Sequence, residues 1–262
     1  MARGRSADKA GVEAMKALVL DFDGVIADSA RESFAVALDA YRDLRPQSPL
    51  PLRDRSALYA GFVAAMPLGN GAADYGVVLS ALESDRPLGD QSAYDAFRAE
   101  HPPEWLERYR RRFYEVRARL ARQDPGTWRA LMPPYAPLLD VLRRQVGRTT
   151  YAIATSKDRP SVEALLGAYG IADLFPGDRI RDKESGLRKS EHLRSLRTTL
   201  GVRFEEMTFV DDKVNHLDDV APLGVRCALA AWGYNDRREH ELARARGYSV
   251  CRLEDVERQL WG

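Results

Sequence analysis

The sequence holds only two cysteines, Cys227 and Cys251, each inside a short apolar run. That is too few for a disulfide framework, and both read as small core residues. No apolar run approaches the ~20 residues a membrane-spanning helix needs. The opening segment, Met1 to Met15, is polar and charged. It lacks the apolar stretch of a secretory signal and reads as a loose tail, residues 1–15. Neither sign of charge prevails: 40 basic residues against 39 acidic ones leave a net charge of +1. This balance argues against a generic nucleic-acid or membrane surface. Internal repeats and low-complexity segments are missing too. A cytoplasmic globular protein is the expectation, and 262 residues are enough for one large domain or a core with a smaller one.

What is present is organised around residues 17–29. Ala17-Leu18-Val19-Leu20 is an apolar run of the kind that forms a buried parallel strand. It ends in Asp21-Phe22-Asp23-Gly24. Positions i and i+2 of a strand point to the same side, so Asp21 and Asp23 leave the strand close together. Its C-terminal edge is where open α/β sheets place their ligands. Two close carboxylates repel unless a cation lies beside them or one stays protonated. With a cation, Asp21 can serve as nucleophile and metal ligand, and Asp23 as acid and base. Gly24 permits a sharp turn. The simpler alternative is an Asp-rich turn after a strand; the apolar lead-in and the later sites weigh against it.

Residues 30–132 read as a helical insert without a strong strand signal. Helical patterns cover about 30–44, 53–66, 74–83, 91–100 and 104–122, separated by a proline-rich break from Pro46 to Pro51 and a turn over Pro67–Gly71. The last pattern is loaded with arginine, from Arg108 to Arg122, and reads as a solvated helix face. From Met132 strands alternate with helices. Strands are expected at 149–154, 179–181, 207–210, 225–230 and 248–252, after a stiff connector from Pro133 to Pro137. This alternation means a parallel sheet with covered faces. The expected fold is α/β: a Rossmann-like parallel sheet core with helices on both faces, residues 16–29 and 133–262, and an α-helical cap at 30–132 inserted after the first strand.

Three further places can carry chemistry. The strand over Tyr151–Ala154 ends at Thr155 and Ser156, whose hydroxyls can hold a phosphate oxygen, although a helix N-cap is the simpler reading. Lys189 opens a helix, where the macrodipole disfavours a cation unless anionic groups lie within reach. An exposed surface lysine is the plain alternative there, and Lys183 competes for the role. Met207–Val210 repeats the opening design and ends in Asp211 and Asp212. Being adjacent, these two point differently, so one of them is expected in a first metal shell. A hard divalent cation such as Mg2+ takes few carboxylates plus oxygen ligands from water and phosphate.

In this order the four places resemble the motifs of the haloacid dehalogenase-like (HAD) hydrolase superfamily, over about residues 16–29 and 133–253. The resemblance implies that Asp21 attacks phosphorus to form an aspartyl-phosphate, while Asp23 protonates the leaving group and later activates water. It implies phosphate contacts from Thr155, with Ser156 beside it, and from Gly24, and a lysine at Lys189 that steadies nucleophile and phosphate. Mg2+ would be held by Asp21, Asp23 and Asp212, with Asp211 before it; Gly224 falls at the family's usual spacing from Asp212. Two positions depart from the pattern. His216, with Asn215 adjacent, stands where many relatives carry a second Asp or Asn, and Ser190 stands where many carry proline. The insert is similar to a C1-type cap. Thr155-Ser156-Lys157 and Trp232-Gly233-Tyr234 resemble the phosphoglycolate phosphatase-like branch.

The resemblance thus implies a Mg2+-dependent phosphatase acting on a small phosphorylated metabolite, without nucleic-acid or membrane partners, as a monomer or homodimer. Asp23 favours phosphoryl transfer, because an alkoxide leaving group needs a proton. The alternatives are a phosphomutase of the same fold and a non-catalytic phosphate-binding module.

Overall fold

Ala17–Leu20 form strand β1 in the computed structural model, which describes residues 14–262 apart from Asn70 and Leu187. Residues 1–13 of the expected tail lie outside the described residues, whereas Met15 already packs against the core. The other strands are β2 (Thr150–Ala154), β3 (Ile180–Arg181), β4 (Met207–Asp211), β5 (Arg226–Ala230) and β6 (Ser249–Cys251). All pair in parallel, in the order β3-β2-β1-β4-β5-β6. Leu20 lies opposite Ile153 of β2 and Val210 of β4, so three strands end level with one another. Strand order reverses beside β1, and at such a switch point the diverging connections leave a crevice over the carboxyl ends.

Both faces of the sheet are covered, which is why its strands are apolar throughout instead of alternating. Leu18 and Leu20 face a core built with Leu138 and Leu142 of α7 (Ala136–Arg144) and Leu165 of α8 (Arg159–Ala168). Ala17 and Val19 face Leu193 of α9 (Lys189–Leu200) and Leu217 of α10 (Val214–Val220). Helix α11 (Arg237–Ala245) joins the second face through Ala243, and α12 (Val256–Trp261) joins the first through Val256. The sequence pattern did not reveal α12. The connector also differs from expectation: α7 begins inside it, at Ala136, because Pro137 falls in the first turn, where a missing N–H costs nothing. Asp158 and Asp236 cap α8 and α11 through their side chains, fixing where each helix starts. Cys227 and Cys251 are buried and free.

Between β1 and α7 the chain forms α1 (Ala30–Leu44), α2 (Arg55–Ala65), α3 (Ala72–Glu83), α4 (Gln91–Ala99), α5 (Pro103–Gln123) and the short α6 (Pro125–Ala130). They enclose a core of their own, in which Phe34, Phe62, Tyr75 and Phe113 meet in succession edge-on or tilted. The arginines of α5 divide. Arg108, Arg111 and Arg122 are exposed, as expected of a solvated face. Arg117 is buried and forms a two-pronged ion pair with Glu32 of α1, at 2.7 and 2.6 Å. Trp128 Nε1 adds a longer contact of 3.4 Å to the same carboxylate. Among the described residues no helix is long and apolar enough to cross a membrane.

Breaking a buried pair leaves one charge uncompensated. Glu32→Gln is therefore expected to lower unfolding stability by about 3 kcal/mol. Arg111→Ala, on the exposed face of the same helix, should stay within about 0.5 kcal/mol of wild type in the same denaturant titration.

Candidate active site

The strand ends deliver Asp21, Thr155 and Asp211 to one rim because β1, β2 and β4 end level. Beyond β1 the chain turns back on itself: Gly24 donates its N–H to Ala27 O at 2.8 Å and takes a φ of +78°. That N–H is therefore used within the turn, and the position also has a steric demand. A Cβ there would stand 2.5 Å from Asp212 Oδ2.

Lys189 enters the rim from the first turn of α9. Its ammonium donates to Ala154 O at 2.7 Å and lies 2.9 Å from Asp21 Oδ1 and 3.2 Å from Asp211 Oδ2. Burial disfavours its charge, but the two carboxylates outweigh that and raise its pKa. Lys183, the competing lysine, lies against the insert instead, with Nζ 4.6 Å from the ring centre of Tyr114. Asp211 also accepts from Lys213 N and from His216 Nδ1, at 2.9 and 3.0 Å. Burial opposes its ionisation, yet His216 and Lys189 hold its pKa well below the usual carboxylate range.

Asp21 and Asp212 are less well compensated. Burial, reinforced by the charge of Asp211, pushes Asp21 up to about 6 despite Lys189. Burial and the neighbouring Asp211 and Asp21 push Asp212 up to about 7. Asp212 Oδ2 accepts from Tyr234 N at 2.7 Å, while its Oδ1 is buried without a partner. Asp21, Asp211 and His216 bring ligand atoms within 4.8 Å of one another, a group that can hold a metal ion. A partnerless buried carboxylate oxygen beside carboxylates that resist ionisation is the environment a divalent cation relieves, so these residues fit a Mg2+ site.

Asp23 sits apart from this cluster. Lys157 Nζ, itself fully buried, lies 2.9 and 3.2 Å from its two oxygens. Burial raises the Asp23 pKa, but Lys157 and then Arg117 outweigh it and lower the pKa overall. Sequence reasoning gave Lys157 and Arg117 no place here. Lys157 stands two residues after Thr155, but nothing local signals its partner 134 positions away. Thr155 is buried and accepts from Lys157 N at 3.1 Å; Ser156 is exposed. Asp21, Asp23, Thr155, Ser156 and Lys157 line one cavity of about 790 Å³, whose other wall is the insert, with Tyr75, Tyr94, Arg98 and Tyr114.

Raised carboxylate pKa values mean that the folded protein binds more protons than the unfolded chain. Asp21 and Asp212 thus cost stability as pH rises from about 4 towards 7, and His216, whose pKa is raised by Asp211 against burial, works in the same direction. In thermal melts with chelator, the protein should be more stable at about pH 5.5 than at about pH 7.5. Added Mg2+ should recover most of the difference.

Residues 15–218 match the haloacid dehalogenase-like hydrolase family. No curated protein matches the sequence. Among solved structures, a provisionally assigned phosphoglycolate phosphatase from Lactobacillus delbrueckii subsp. bulgaricus superposes with a TM-score of 0.69 at 15% identity, covering 95% of this chain and 100% of that one. A predicted phosphoglycolate phosphatase from Haemophilus somnus gives 0.65 at 16% identity, covering 95% and 99%. A predicted phosphatase from Clostridium acetobutylicum gives 0.62 at 15% identity, with the same coverage of 95% and 99%. At such identities the likeness speaks for the fold. The family match spans most of the chain, over the residues that build the rim, and on it this chain belongs to the haloacid dehalogenase-like hydrolases.

Proposed function

We propose that the chain is a Mg2+-dependent phosphatase that hydrolyses a small-molecule phosphate monoester through an aspartyl-phosphate. The observation that carries this reading is the division of labour between two carboxylates of one turn. Asp21 lies against Lys189 in the acidic cluster, and Asp23 lies against Lys157, both lining the same cavity. Environments that drive two carboxyl groups apart mark a nucleophile and an acid–base partner. The phosphatase names carried by the structural neighbours support the same reaction class.

In this mechanism Asp21 attacks phosphorus, the ester oxygen leaves, and Asp23 gives it a proton. Asp23, now ionised, takes a proton from water as the water attacks the aspartyl-phosphate, which releases phosphate and restores Asp21. Its bond to Lys157 favours the ionised form that the second step needs. Protonating the leaving group requires that bond to yield as the substrate enters. Thr155 and Lys189 bind phosphoryl oxygens and disperse their charge. Asp21 and Asp212, with Asp211 beside them, would hold Mg2+, which would supply charge neutralisation of the phosphoryl group. Asp211, with its oxygens engaged by Lys213, His216 and Lys189, orients these neighbours. The walls contributed by the insert would contact the leaving group and exclude water.

The test is phosphate release from a panel of metabolite phosphates, with and without Mg2+. Asp21→Asn should lower kcat by at least about three orders of magnitude. Asp23→Asn should lower it by about 10²–10⁴-fold, least for substrates with an acidic leaving group such as p-nitrophenyl phosphate. Wild-type activity in Asp21→Asn, or activity indifferent to chelator, would refute the reading.

A further inference from the structure

The loop from Trp232 to Asn235 follows β5 and does not belong to the turns that carry the acidic residues. It nevertheless touches Asp212, the turn after β1 and both connections to the insert. Tyr234 N–H donates to Asp212 Oδ2 at 2.7 Å. Asn235 Nδ2 donates to Asp212 O at 3.0 Å and to Ala230 O at 2.8 Å, pinning the loop from the other side. The packing leaves no slack: a Cβ on Gly233 would lie 2.3 Å from Asp212 Cβ and 2.6 Å from Gly24 O.

The same loop holds both chain connections to the insert. The Tyr234 hydroxyl accepts from Ser29 N at 2.5 Å and contacts Asp28 Oδ1 at 3.2 Å, where the chain leaves the sheet for α1. Tyr135, on the returning connection, donates its hydroxyl to Trp232 O at 3.3 Å. Trp232 Nε1 donates to Val25 O at 3.1 Å. A third tie runs to the body of the insert. The buried Lys213 ammonium donates to Tyr234 O at 2.5 Å and to Met66 O at 2.7 Å, the carbonyl just beyond α2. An ammonium is favoured at a helix C-terminus, so this contact holds α2 down on the core.

We infer that Tyr234 is a positioning residue that couples the seating of the insert to the geometry of Asp212. With the insert seated, Lys213 and Ser29 fix both ends of Tyr234, and its N–H holds one oxygen of Asp212 while the other is left without a partner. When the insert lifts, Met66 O leaves Lys213, the connections at Ser29 and Tyr135 shift, and the hold on Asp212 relaxes. By reciprocity, a cation bound through Asp212 must favour the seated insert to the same degree. This inference rests on the metal-dependent reading above, but its test needs no turnover.

Mg2+ affinity is measured by calorimetry, and amide hydrogen exchange of α2 and α3 is followed with and without Mg2+. Two variants are compared with the wild-type chain. Tyr234→Phe removes the hydroxyl contacts with Ser29 and Asp28 while keeping ring and backbone. Lys213→Met removes the tie to Met66. Wild type should gain protection in α2 and α3 on binding Mg2+. Each variant should bind Mg2+ about five-fold or more weakly, and should lose most of the Mg2+-induced protection. If Lys213→Met does not fold, Tyr234→Phe alone decides. Affinity within about two-fold of wild type in Tyr234→Phe, or undiminished Mg2+-induced protection, would overturn the coupling and leave the phosphatase reading standing. Wild-type protein that binds no Mg2+ would overturn both.

Discussion

Lys189 sends its ammonium from the first turn of a helix into a rim where Asp21, Asp211 and Asp212 are all buried. Neither side of that arrangement is favourable alone. A lysine at a helix N-terminus opposes the macrodipole, and clustered carboxylates away from water oppose one another. Brought together they offset these costs, and the level ends of β1, β2 and β4 put Asp21, Ala154 O and Asp211 within reach of one ammonium. The compensation is incomplete. Lys189 reaches Asp21 and Asp211 but not Asp212, and the remainder appears as the raised pKa values of Asp21 and Asp212 and as an oxygen of Asp212 without a partner. The fold thus holds an unmet demand for positive charge at the place where a cation would act.

Asp23 lies only two residues from Asp21, yet it belongs to another electrostatic environment. Lys157 and Arg117 supply that difference, and they come from opposite sides: Lys157 from the loop after β2, Arg117 from the insert. Arg117 is held by Glu32, so the packing of the insert and the ionisation of Asp23 share a residue.

What could be read from the sequence were features set by neighbours along the chain. The apolar runs before Asp21, Thr155 and Asp211 announce buried strands, and their polar ends announce a ligand edge. Lys189 was nameable only through the family resemblance, since the residues around it read equally well as an exposed helix start. Lys157, Arg117 and Tyr234 were not, since each acquires its role through a partner far away in sequence: Asp23, Glu32 and Asp212. Arginine spacing on α5 cannot say which guanidinium turns inward. At Gly24 the sharp turn was legible but the close approach behind it was not: the turn uses its N–H, and the missing Cβ makes room for Asp212. The short α12 carries too few apolar residues for its periodicity to stand out.

The sheet is widest in ladder pairing at its centre and thin at its borders: β3 has 2 residues and β6 has 3. An outermost strand displays backbone donors and acceptors that invite pairing with a strand from another molecule, and brevity is one of the ways natural sheets decline that invitation. Here the chemically expensive strands, β1 and β4, are shielded on both flanks, and the borders offer a passing chain almost no template on which to extend the sheet.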